Sequence, residues 1–148
     1  MVQRVQSLLI AIVAILHVLL FFVPVFVWEG YVSPGGQAMD TKIMTALYDV
    51  PFIVLNVVII LFSIFIITQF KNRKKQRSFV FILCFIIILN ICLYLFYMFR
   101  ITVAKEYTLI PAKSLGLYFQ LISLVLCLVA ARRIRKDEEL VKSIDRIR

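Results

Sequence analysis

Four stretches of this sequence are apolar for about 20 residues each, the length that crosses a bilayer core of roughly 30 Å. They run over 8–28, 51–70, 79–99 and 113–131. Between the second and the third, Lys71-Asn72-Arg73-Lys74-Lys75-Gln76-Arg77 puts five cations into seven residues. A loop so charged resists translocation and stays on the cytoplasmic side, which fixes the direction of every other segment. The expected fold class is an all-α membrane protein: a four-transmembrane-helix up-down bundle with a cytoplasmic amphipathic extension of its last helix.

Composition agrees with that class. Of the 148 residues 63% are hydrophobic, with a mean hydropathy of +1.00, against roughly 45–50% apolar in soluble domains. The four runs take up more than half the chain, so 1–148 reads as a single membrane domain with a tail over 132–148. The net charge is +9. In a soluble protein that excess would point to nucleic acid. Here it is the topology signal itself, and no nucleic-acid partner is expected. All but four of the 17 Lys and Arg lie in the first residues, the middle loop and the tail; the exceptions are Lys42, Arg100, Lys105 and Lys113. Both termini are therefore expected in the cytoplasm of a bacterial cell, with the chain multi-pass in the inner membrane. Trp28, Tyr31, Tyr48 and Tyr107 suit an outer aromatic belt.

Punctuation along the chain adds local expectations. The first apolar run is longer than the roughly 7–15 residues of a signal peptide, so it reads as an uncleaved anchor. Pro24 should kink it. In the loop that follows, Ser33-Pro34-Gly35-Gly36 is a turn, and Asp40 could cap a short surface helix bearing Ile43, Met44 and Leu47 on one face. Asp49 before Pro51 is a helix start, with the acid at the positive end of the dipole. The basic connection is short enough to make the second and third spans antiparallel neighbours. Pro111 marks the start of the fourth. In the tail, Ile134, Leu140, Val141, Ile144 and Ile147 recur at helical spacing, and Glu138 precedes Lys142 by four, the favourable order for a pair.

Each span carries one small or polar stripe. Polar groups facing lipid pay a desolvation cost, so the stripes should face one another. They gather His17, Asn56, Asn90, Tyr94 and Gln120 as a candidate intramembrane polar cluster, with His17, Asn90 and Gln120 near mid-span. One reading is a small outward-facing cavity in which His17 handles protons. The plainer reading is interhelical hydrogen bonding, worth about 0.6–2 kcal/mol per group. Cys84, Cys92 and Cys127 form no Cys-x-x-Cys pair, which speaks against a disulfide-forming oxidoreductase. One His and three dispersed Cys make no zinc site, and no cofactor is expected. At the cytoplasmic end, helix one should neighbour helix four, and Arg4 is placed to pair with Glu138, Asp137 being the second choice.

The two ends resemble a known family. Gln3, Arg4 and Gln6 at the start, and Arg135, Lys136, Asp137, Leu140, Val141, Asp145 and Arg146 at the end, are similar to the domain of unknown function 4293 family, small inner-membrane proteins of Bacteroidetes with four spans. The resemblance implies fold and location and brings no activity. With no Asp, Glu, Lys or Arg inside the spans away from their ends, the expected role is non-enzymatic: an accessory or scaffold protein. It would engage a membrane-protein partner or further copies of itself through its cytoplasmic ends, with anionic lipid at that face. The alternatives are a small-solute transporter or channel acting as an oligomer, and an enzyme on lipid or envelope precursors in which His17 would be the base.

Overall fold

The computed structural model describes residues 2–30, 41–69, 72–103, 107–109 and 114–147. Four helices form its bulk: α1 (Val2–Leu19), α2 (Val50–Thr68), α3 (Arg73–Val103) and α4 (Leu115–Ile147). Three short strands, β1 (Phe26–Gly30), β2 (Thr41–Met44) and β3 (Tyr107–Leu109), form one antiparallel sheet in the order β2-β1-β3. The helices pack in a ring: α1 on α2, α2 on α3, α3 on α4 and α4 back on α1.

Hydrogen bonds fix which helix ends meet. At one end Ala46 N–H donates to the Leu20 carbonyl, Val25 N–H to Met44, and Gly116 N–H to Pro24 at 2.8 Å. The end of α1 and the starts of α2 and α4 therefore share that end with the sheet. At the opposite end Gln76 folds its buried side chain back to donate to the Ile66 carbonyl, closing the turn between α2 and α3. Asn72 caps α3 there, its Oδ1 accepting from Lys75 N–H at 3.3 Å.

The first helix is shorter than the apolar run that contains it. The sequence suggested a kinked span over 8–28; instead α1 ends at Leu19, and 26–30 is a strand. Pro24 explains the stop. Its ring excludes the carbonyl four residues back and disfavours helix at Val23. That carbonyl, Leu20 O, is turned over to Ala46 N–H. The β-branched and aromatic residues beyond Pro24 then suit a strand. Trp28 consequently leaves the expected aromatic belt: it is fully buried under the sheet, and its Nε1 donates to Thr102 at 3.4 Å.

A second expectation fails nearby. The surface helix bearing Ile43, Met44 and Leu47 is replaced by β2, which shows Ile43 outward and buries Met44. Alternation of period two wins because β1 offers a partner edge along its whole length. Asp40 lies outside the described residues, as do the Ser33–Gly36 turn and Pro111. Asp49 does cap α2: its extended backbone lets Oδ1 accept from Val50 N–H at 2.8 Å, and Tyr97 donates to Oδ2. The last helix runs unbroken from Leu115 to Ile147, so the tail is a continuation of it.

Helices α2, α3 and α4 each contain a segment long and apolar enough to cross a membrane, at Val50–Thr68, Lys75–Val103 and Leu115–Leu140; α1 contributes a shorter apolar helix, Val5–Leu19. No more than a third of each of the three long segments is buried inside the protein. Large residues such as Leu61, Phe85, Phe96 and Val125 stand outward. An apolar surface that extensive needs an apolar surrounding.

Candidate functional site

Most of the buried bundle interior, among the described residues, divides into three layers. Near the basic end an apolar cluster holds Ile10 and Val13 of α1, Ile59 and Ile66 of α2, Val80, Leu83 and Ile87 of α3, and Ala130 and Ile134 of α4. Near the sheet a second apolar cluster holds Leu20, Val25, Phe26, Trp28, Met44, Phe52 and Tyr94. Between them, on each helix in turn, comes a polar residue: His17 of α1, Asn56 of α2, Asn90 of α3 and Gln120 of α4, all fully buried. The two apolar clusters are separate because this polar layer divides them.

Local helix geometry positions each member. His17 Nδ1 lies 3.0 Å from the Val13 carbonyl, so the proton sits on Nδ1 and Nε2 is left as an acceptor. Asn56 Nδ2 donates to the Phe52 carbonyl at 2.8 Å and to the Tyr94 hydroxyl at 3.3 Å. Tyr94 stacks on Phe52, with ring centroids 4.3 Å apart, and belongs to the apolar cluster beside the sheet. Ser123 of α4, one turn from Gln120, bonds back to its own helix at Phe119. Six polar atoms of the layer have no hydrogen-bond partner among the described residues: His17 Nε2, Asn56 Oδ1, and both amide atoms of Asn90 and of Gln120. Four are acceptors and two are donors, all neutral, so the layer carries unused hydrogen-bonding capacity and gives no counter-charge to an ion.

The sequence had placed His17, Asn90 and Gln120 at one depth with Asn56 and Tyr94 beyond them. Here Asn56 shares the layer with those three, Tyr94 lies in the apolar cluster beside the sheet, and of the five only Asn56 and Tyr94 are directly bonded among the described residues. The end facing the sheet is filled by Phe26, Trp28, Met44 and Phe52, all buried, so it carries no outward mouth at those side chains.

The basic end has a network that sequence reasoning missed in part. Gln6 Nε2 donates to Asp137, tying α1 to α4, and both side chains are buried. Arg77 of α3 pairs with Glu138 of α4 at 3.0 Å, the carboxylate nearly buried. The side chain of Arg4, expected to meet Glu138, lies outside the described residues; α1 does pack on α4 as that pairing requires. The signal for Arg77 was present, since the basic connection and the tail carboxylates were expected at the same end, but spacing along the chain could not rank it above Arg4. Similarly Cys84 and Cys127 are brought into side-chain contact across α3 and α4, a juxtaposition no Cys-x-x-Cys spacing would announce. Among the described residues no three His, Cys, Asp or Glu side chains converge as metal ligands.

Fold and interior together define a class: a small helical protein with apolar helices of membrane-crossing length, one end closed by a sheet, the other bound by charged side chains. The chain belongs to the domain of unknown function family DUF4293, whose model matches residues 2–147. Comparison with curated proteins and with solved structures returns no match.

Proposed function

We propose that this protein is an integral inner-membrane accessory or scaffold subunit, a four-span up-down bundle with both termini in the cytoplasm and no chemistry of its own. On this reading α1, about 27 Å long at 1.5 Å per residue, is the fourth crossing, and the sheet sits at the outer rim. A sheet edge is tolerated there because it is outside the hydrocarbon or covered by protein. The cationic turn between α2 and α3 supports the orientation.

The observation that carries the scaffold role is the rigid emergence of α4. Asp137 and Glu138 are both tied down, to Gln6 and Arg77 on two other helices. The opposite face, with Arg133, Lys136 and Glu139, is left exposed. A helix so clamped presents a fixed charged surface to a membrane-protein partner or a second copy. The test is in-cell photocrosslinking from Lys136 and Leu140, with Gly35 as the outer-side control. One discrete adduct shared by both tail positions and absent from the control supports the role. A chain that remains uncrosslinked from both overturns it.

The polar layer favours a second reading, a small-solute transporter or channel acting as an oligomer. Six buried polar atoms without a partner among the described residues are costly, by about 1–3 kcal/mol each when left dry, and a passing polar solute would satisfy them. Flux through proteoliposomes that His17→Ala abolishes would support it; protein that moves no solute refutes it.

A further inference from the structure

A groove of about 560 Å³ opens at the basic end of the α3–α4 seam, lined by Arg77 and Phe81 of α3 and by Leu128, Ala131, Arg132, Arg135 and Glu139 of α4. That volume is within the roughly 300–1,000 Å³ of small-molecule sites. Its walls follow from helical periodicity. Arg77 and Phe81 are four apart on α3, while Leu128, Arg132, Arg135 and Glu139 recur at four, three and four on α4, so each set forms one stripe. Continued toward the middle of the spans, the same stripes reach Phe85 and Val125, both strongly exposed.

Along the groove the chemistry therefore changes in a fixed order. Exposed apolar side chains come first, then guanidiniums about 6 Å and 10 Å beyond Leu128, then a carboxylate about 16 Å beyond it, at 1.5 Å per residue. That is the order of a phospholipid at a membrane surface: acyl chain, phosphodiester, polar headgroup. Three guanidiniums stand against one carboxylate among the lining side chains. Arg77 spends one nitrogen on Glu138, and Arg135 one on Glu139 at 2.8 Å. Arg132 has no ion-pair partner among the described residues. A guanidinium has five N–H donors, so all three retain donors for the groove and can grip phosphate in the bidentate manner.

We propose that this groove binds one anionic glycerophospholipid, its phosphodiester held by Arg77, Arg132 and Arg135 and an acyl chain lying on Phe81 and Leu128. The occupant is a lipid because the apolar half of the groove is continuous with the outward apolar face of the spans. A soluble phosphate would use only the cationic half. Glu139 adds selectivity: it repels a second anion and accepts a hydrogen bond from a headgroup hydroxyl. The proposal rests on the apolar helices meeting lipid and not on the scaffold role.

The test is native mass spectrometry of the full chain in a neutral detergent, titrated with phosphatidylglycerol, with phosphatidylcholine, or with inorganic phosphate. One phosphatidylglycerol per chain is expected to be retained. Arg132→Gln with Arg135→Gln should weaken it about tenfold or more, the loss of two charge-assisted contacts. Arg133→Gln with Lys136→Gln removes the same charge from residues outside the groove and should leave affinity within about threefold. Equal losses from the two double variants would show diffuse surface attraction and overturn the site. Equal retention of phosphatidylcholine, or displacement of phosphatidylglycerol by inorganic phosphate alone, would overturn it as well. A photoreactive phosphatidylglycerol on the wild-type chain gives a readout free of any folding defect. Labels should fall around Phe81 and Leu128; labels spread along every helix refute the proposal.

Discussion

Replacing Gly116 by alanine tests how closely α4 approaches the chain leaving α1. A Cβ at this position would stand 2.8 Å from the Val25 Cα, 3.0 Å from Leu20 Cδ2 and 3.0 Å from the Pro24 carbonyl oxygen. Two of the three obstacles are backbone, held in place by the Gly116 N–H bond to that same carbonyl and by the sheet that follows. Helix propensity alone favours alanine over glycine by about 0.5–1 kcal/mol. Overpacking against atoms that cannot rotate away costs about 1–3 kcal/mol. The clash should win, leaving Gly116→Ala destabilised by about 1–2 kcal/mol, or roughly 2–8 °C in Tm for a chain of this length. Trp28, the single tryptophan, is fully buried in the adjoining sheet and reports on this region directly. Thermal unfolding in detergent, followed by Trp28 emission, should show the lower Tm with a red-shifted native spectrum. Leu20→Ala combined with Gly116→Ala should not recover stability, because it removes the one obstacle that is a side chain and leaves the two that are not. A Gly116→Ala protein as stable as the parent, with unchanged emission, or full rescue by Leu20→Ala, would refute the argument.

Other expectations follow from the same geometry. Tyr94→Phe removes the hydroxyl that accepts from Asn56, and a double-mutant cycle with Asn56→Ala should give a coupling of about 0.6–1.7 kcal/mol; zero coupling would mean the two side chains do not meet. In native detergent micelles Cys92 should react with a maleimide while Cys84 and Cys127, buried between α3 and α4, react only after denaturation; three reactive thiols in the folded protein would contradict that packing. In a cysteine-free chain, a cysteine at Asn72, which is exposed, should be protected from impermeant reagent in intact cells and one at Gly35 should be labelled; the reverse pattern would invert the proposed orientation. Arg77→Met should loosen the emergence of α4, raising amide exchange near residue 138 and costing about 1 kcal/mol, since water screens the partly exposed guanidinium; unchanged exchange would show that Glu138 does not depend on it.

The sequence by itself determined the four apolar runs, the antiparallel turn at the basic connection, the Asp49 cap and the helical continuation of the tail. All of these rest on hydropathy, charge or capping chemistry that acts within one segment, and such signals survive in one dimension. Counting residues over 8–28 placed His17 mid-span; it stands instead in the last turn of α1, because that helix stops at Leu19. Only the tertiary structure decided what residues 25–28 would become. Val25, Phe26, Val27 and Trp28 are as apolar in a helix as in a strand; Pro24 stops the helix, but the strand needed the partner edges of β2 and β3, which begin 15 and 81 residues after Phe26. The same holds for the contact of Cys84 with Cys127, the division of the core by its polar layer, and the partner of Glu138. Each depends on the rotation and register of one helix against another, which side-chain packing sets and sequence spacing does not record.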